Sequence, residues 1–155
     1  MTTSIAPDDP QAPDVRRLLA AHLDFAHEHS PPEDVHALDV SGLCAPDISF
    51  FSARDHDGAL LAVGALRQLD ATDAEIKSMH TSAAARGRGI GRAMLMYLLD
   101  LARSRGCTRV SLETGTMDEF AAARSLYRSA GFADCEPFGD YRRSPYSVCM
   151  TTTLD

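Results

Sequence analysis

The sequence predicts a mixed α/β (α+β) fold built on a largely antiparallel sheet. Two observations carry this expectation. Three apolar-rich segments, 48–53, 59–69 and 74–81, follow one another across the short turns Asp55-His56-Asp57-Gly58 and Asp70-Ala71-Thr72-Asp73. Such spacing describes a meander of antiparallel strands. The pattern then changes. A glycine-rich turn, Arg86-Gly87-Arg88-Gly89-Ile90-Gly91-Arg92, leads into Ile90, Met94, Tyr97, Leu98, Leu101 and Ala102 at helical spacing. A strand at 109–114 comes next, and the helix between it and 74–81 requires the two strands to run parallel.

Taken in order, residues 2–6 read as a short first strand before Pro7. Pro13 and Asp14 suit the first turn of a helix, and Val15, Leu18, Leu19, His22, Leu23 and Ala26 then recur at helical spacing. Ser30-Pro31-Pro32 stops it. A short second helix is expected around Val35–Leu38. Beyond the meander, the helix over 90–105 ends at Gly106 and a helix from Asp118 to about Ala130 ends at Gly131. Short strands at 132–135 and 148–153 complete the chain. No internal repeat, low-complexity tract or linker interrupts it, so residues 1–155 are expected to form a single domain.

The chain is long enough for a real core, and its 45% apolar content is ordinary for a globular protein. No stretch approaches the ~18 consecutive apolar residues of a membrane span. The first residues, Met-Thr-Thr-Ser-Ile-Ala-Pro-Asp-Asp-Pro, lack the basic and apolar regions of a signal peptide. Cys44, Cys107, Cys135 and Cys149 are far apart in sequence and read as packing residues, reduced in a cytoplasmic protein. A net charge of −7 argues against nucleic acid as a partner. The charge is uneven: residues 1–85 carry net −9, residues 86–109 net +5 and residues 110–155 net −3. One positive island in an acidic chain suits a polyanionic ligand.

The island is centred on the glycine turn. A strand–turn–helix junction leaves unpaired N–H groups at the helix start, and glycines let an anion come close. The turn therefore reads as a phosphate or pyrophosphate cradle, or else as a plain turn with solvated arginines. It lacks the third glycine of the dinucleotide fingerprint, since Arg92 stands there, and the Gly-Lys-Ser/Thr ending of a triphosphate loop. Arg-x-x-Gly-x-Gly at Arg86, Gly89 and Gly91 does fit. It resembles the acetyl-CoA pyrophosphate loop of the GNAT superfamily of N-acetyltransferases. Leu126-Tyr127-Arg128-Ser129-Ala130-Gly131-Phe132 resembles the Leu-Tyr-x-x-x-Gly-Phe signature of the fourth helix in that family, with Tyr127 placed 41 residues after Arg86. Segments such as Glu75-Ile76-Lys77-Ser78-Met79 and Leu112-Glu113-Thr114-Gly115-Thr116-Met117 are similar to a bacterial YsnE-like subgroup.

The resemblance implies a mixed, largely antiparallel central sheet of about six to seven strands, flanked by about four helices, with a splayed parallel pair. It also implies transfer of an acetyl group from acetyl-CoA, as co-substrate, to an amine of a small molecule. Such chemistry needs a base for the amine, a donor for the developing oxyanion and an acid for the leaving thiolate. Tyr127 matches the acid. Glu75 is the first candidate for the base and Glu113, on the neighbouring strand, the second; each could equally be a surface carboxylate or a partner for Lys77 or an arginine. His80 is a third candidate. The oxyanion would meet a main-chain N–H near Met79, His80 or Thr81. Arg86, Gly87, Arg88, Gly89, Ile90, Gly91 and Arg92 would hold the pyrophosphate. His27–Leu43 would line the acceptor pocket. No metal site is expected, because His22, His27 and His29 are poorly spaced on one helix face. Homodimers are common in the superfamily, so a homodimer is a partner that the resemblance implies. Three positions depart from the usual pattern: Thr81, Ala83 in place of proline and Phe120 in place of a cofactor-binding asparagine. An acyl-CoA-binding sensor without turnover is the alternative reading, and a nucleotide-binding protein a weaker third.

Overall fold

A computed structural model describes residues 3–154. Its strands are β1 (Ser4–Pro7), β2 (Ile48–Arg54), β3 (Leu60–Gln68), β4 (Asp73–Thr81), β5 (Arg109–Gly115), β6 (Ala133–Cys135) and β7 (Ser147–Thr153). They form one sheet in the order β1-β2-β3-β4-β5-β7-β6. Every pairing is antiparallel except β4 with β5, the pair joined through a helix. The helices are α1 (Pro13–His29), α2 (Val40–Leu43), α3 (Ile90–Ser104) and α4 (Ala121–Ser129). The meander, the crossover and the parallel pair stand where the sequence placed them.

The two faces of the sheet have separate cores. Ala74, Ile76, Val110, Leu112 and Met150 pack with Met94, Leu95, Leu98 and Leu99 of α3 and Tyr127 of α4. On the opposite face, Val15 and Leu19 of α1 and Leu43 of α2 pack on Phe50, Val63 and Ala65. Truncating a fully buried leucine such as Leu98 typically costs about 2–5 kcal/mol, so α3 is the main anchor of the glycine turn that precedes it. Arg54 fastens the first segment to the sheet, with Nη1 2.6 Å from Asp14 and Nη2 2.9 Å from Asp8.

Two boundaries differ from the sequence reading. No helix forms at Val35–Leu38. Instead Pro32–Asp34 make a single 3₁₀ turn, the chain runs on extended, and α2 starts at Val40. Asp39 decides this start, because its carboxylate accepts from the Gly42 N–H at 2.8 Å and so caps the helix. The expected helix from Asp118 to Ala130 is a 3₁₀ turn over Asp118–Phe120 followed by α4. Position 2 of the expected first strand lies outside the described residues.

Candidate active site

β4 and β5 keep hydrogen-bonding register only at Asp73, Ala74 and Glu75 opposite Arg109, Val110 and Ser111. Both strands continue beyond that point, and they splay. A cavity of about 650 Å³ opens there, lined by Ile76–Thr81 of β4 and Leu112–Gly115 of β5. The glycine turn, α4, Tyr141 and parts of residues 22–37 also line it.

The glycine turn closes one end. Gly87 and Gly89 have φ of +76° and +77°, and an added Cβ at either would meet no heavy atom within 4 Å. The left-handed backbone, not crowding, is what requires glycine here. Gly89 precedes α3, and no side chain caps the helix start. The first N–H groups are left available to an anion, with the helix dipole behind them. Arg86, Gly87, Gly89, Ile90, Gly91 and Arg92 line the cavity, whereas Arg88 is exposed and does not. Arg92 also reaches α4, donating to the Ser129 hydroxyl at 3.0 Å.

The middle of β4 is distorted. Register against β3 shifts between Val63 and Ala65, so Ser78 and Met79 together face Gly64. Such a bulge leaves main-chain groups outside the ladder. Ser78 has φ of 55°, which for a non-glycine residue stores about 1 kcal/mol or more of strain. Among the described residues, its hydroxyl oxygen is the one buried side-chain polar atom without a hydrogen-bond partner. Met79, His80 and Thr81 follow along the cavity wall.

A polar cluster occupies the other side. Glu75 is 3% exposed. The Tyr141 hydroxyl donates to it, and Lys77 Nζ lies 3.3 Å from it and 2.8 Å from the Tyr141 oxygen. Burial pushes the Tyr141 hydroxyl far up, and the Glu75 charge pushes it further. Ser147 donates to Glu113, and His36 Nε2 lies 3.9 Å from the same carboxylate oxygen. Burial raises Glu113 to about 7, against the pull of Ser147 and Lys77 and with help from Asp34 and Glu75. Its carboxyl is therefore close to half ionised at neutral pH. Tyr127 enters from α4, and burial pushes it up to about 12.

His22 of α1 and His80 of β4 meet at the cavity, Nδ1 to Nδ1 at 3.3 Å. Burial holds both near 4, with each other's proximity and Arg86 adding to the effect at His80. Both rings are neutral at pH 7, and one donates to the other. Phe120 lines the cavity as well, edge-on to Phe25 at 5.2 Å between centroids. Its ring packs on the bare backbone of Gly115, where an added Cβ would lie 2.4 Å from it.

The structure thus brings Glu113, Tyr127, the Met79–Thr81 stretch and most of the glycine turn to one cavity, while Glu75 does not line it and reaches it only through Lys77 and Tyr141. Sequence reasoning did not single out Tyr141, Ser147, Ser78 or the contact between His22 and His80. Tyr141 comes from the segment between β6 and β7, which has no periodicity to mark an inward residue, and Ser147 is the first residue of β7. Among the described residues there is no cluster of three or more metal-ligating side chains, and no helix is long and apolar enough to cross a membrane.

Residues 12–132 match the family model for the GNAT acetyltransferases. The chain belongs to the GNAT acetyltransferase family. It is 45% identical to YsnE of Bacillus subtilis, described as an uncharacterised N-acetyltransferase, over 95% of this chain and 97% of the relative. It is 42% identical to Escherichia coli YedL, described in the same way, over 97% of this chain and 94% of the relative. Among solved structures, a Klebsiella pneumoniae protein provisionally described as an acyl-CoA N-acyltransferase superposes with a TM-score of 0.84 at 28% identity, covering 99% of both chains. GNAT enzymes acetylate from acetyl-CoA. The uncapped α3 start, the two left-handed glycines beside open space and the splayed strands are features that fit this co-substrate.

Proposed function

We propose that this GNAT protein transfers an acetyl group from acetyl-CoA directly to the amine of a small molecule, with Glu113 as the base and Tyr127 as the general acid. One observation carries the assignment: a carboxyl held near 7 shares a cavity with an uncapped, glycine-lined helix start. A base titrating near the working pH is ionised often enough to act and basic enough to take a proton.

Bound acetyl-CoA supplies the acetyl thioester. The main-chain N–H groups of Gly87–Gly91 and the charge of Arg86 and Arg92 bind the pyrophosphate. Main-chain N–H near Met79–Thr81, freed by the bulge at Ser78, aims at the acyl oxygen. Glu113 takes a proton from the acceptor ammonium, directly or through water. Tyr127 is protonated at every pH of interest and returns a proton to the departing sulfur. We place the base at Glu113 ahead of Glu75 because Glu75 already holds Lys77 and Tyr141, and ahead of His80 because a ring near 4 is a weak base. Glu75 then serves to fix Lys77 and Tyr141 beside Glu113. Ser30, Asp34, Val35, His36 and Ala37 form the wall facing the acceptor.

The test is the melting temperature of the purified protein with acetyl-CoA, with adenosine diphosphate and NAD as controls. A ligand at 100 times its dissociation constant adds ~2.7 kcal/mol of stability. A shift with acetyl-CoA, followed by amine-dependent thiol release, is the expected result. No shift at millimolar acetyl-CoA would overturn the proposal. A shift with no thiol release for any amine would leave a sensor that binds without turnover.

A further inference from the structure

The register of β6 and β7 sets Cys135 directly opposite Cys149. Opposed residues of an antiparallel pair point to the same face, with Cα atoms about 4.5–5.5 Å apart. A disulfide spans Cα separations of about 4.4–6.8 Å, so this register brings the pair within its reach. Both thiols are free, and both line a second cavity of about 430 Å³ beneath the segment joining β6 to β7. The two other cysteines have no such partner: Cys44 is exposed and Cys107 is buried beneath the opposite face.

We propose that Cys135 and Cys149 are a reversible disulfide-forming site that adjoins the active site. Cys135 is the more accessible of the two and is the entering nucleophile; Cys149 is 4% exposed and resolves. In the first step the Cys135 sulfur attacks one sulfur of a low-molecular-weight disulfide. A mixed disulfide forms, and one small thiol leaves with the proton that Cys135 gave up. In the second step the Cys149 sulfur attacks the Cys135 sulfur, and the second small thiol leaves with the Cys149 proton. The protein loses two electrons and two protons, and the small disulfide is reduced to two thiols. The Phe138 N–H donates to the Cys149 sulfur and favours its thiolate form. Arg142, Arg143 and Asp134 line the same cavity, and Arg143 is paired with Glu136. Burial raises both thiols, Cys149 to about 11, so the exchange quickens as pH rises.

The bond would act on the neighbouring site through two links. The segment it closes carries Tyr141, which donates to Glu75, and Ser147, which donates to Glu113. Cys149 is also the β7 residue paired with Glu113 on β5. Glu113, Cys149 and Cys135 thus form one row across three strands, on one face of the sheet.

The test treats the folded protein with oxidised glutathione at about pH 8, then maps thiols and disulfides by blocking, digestion and mass spectrometry. The expected product is a cross-linked peptide pair containing Cys135 and Cys149, short of two hydrogens and restored by dithiothreitol. The oxidised protein should melt at a higher temperature, because the bond restricts the unfolded chain. Cys135→Ser should melt like the reduced parent and show neither the cross-link nor the shift. Glutathione that remains on Cys135 while Cys149 stays a free thiol would overturn the proposal. So would modification of Cys44 with the pair left unreacted, or a cross-link that forms only after the protein is unfolded.

Discussion

Glu113→Gln should make this protein more stable at alkaline pH while removing its activity. The folded state raises the Glu113 carboxyl from 4.5 to about 7, chiefly through burial. The folded protein therefore binds this proton more tightly than the unfolded chain. Between about pH 4.5 and 7 it holds more protons than the unfolded state, so stability falls as pH rises through that window, and the penalty is complete above it. At about 1.4 kcal/mol for each pKa unit, an ionised Glu113 costs about 3 kcal/mol at pH 8. Glutamine is neutral at every pH and keeps an oxygen to accept from Ser147. The weaker bond to a neutral acceptor returns about 1 kcal/mol of the gain. Urea unfolding at about pH 5 and about pH 8 measures this. The variant and parent should differ little at the lower pH, and the variant should gain about 2–3 kcal/mol on the parent at the higher. Thiol release from acetyl-CoA should fall by about 10²–10⁴ in the variant, and the acidic limb of the pH–rate profile near 7 should vanish. If stability follows pH in the same way in both proteins, the burial argument for Glu113 is refuted. An unchanged acidic limb would remove Glu113 as the base.

Three further predictions follow from the same site. On the proposed mechanism Tyr127→Phe should lower turnover by about 10²–10⁴ while acetyl-CoA still raises the melting temperature, because that mechanism loses only its proton donor; steady-state kinetics and thermal shift read the two effects separately. Tyr141→Phe removes the donor to Glu75 and leaves a buried carboxylate with Lys77 alone, which should cost about 1–3 kcal/mol in urea unfolding. Gly89→Ala meets no steric obstacle but must hold φ at +77°, at a cost of about 1–2 kcal/mol; calorimetric titration should also show weaker acetyl-CoA binding, since the change displaces the first N–H groups of α3.

The sequence by itself determined the order of the elements. The apolar-rich runs in 48–81 between short turns and the 3.6-residue repeat after Gly89 are local signals, and each wrote its own strand or helix. Left-handed glycines need no distant partner, so Gly87 and Gly89 marked the turn at the start of α3. Tyr127 was legible because it sits inside a family signature at a fixed distance from that turn. Local signals had less power where a cap outweighed propensity: Asp39 moved the second helix from Val35–Leu38 to Val40–Leu43. Only the tertiary structure gives the two carboxylates different surroundings. Glu75 and Glu113 are the same residue type on adjacent strands, and nothing local separates them. Tyr141, 66 positions beyond Glu75, and Ser147, 34 beyond Glu113, give each a different partner and surroundings. The pairing of β6 with β7 likewise sets Cys135 against Cys149. Burial and hydrogen bonding between residues so far apart depend on the folded arrangement, and they set the pKa of a group whose identity alone does not.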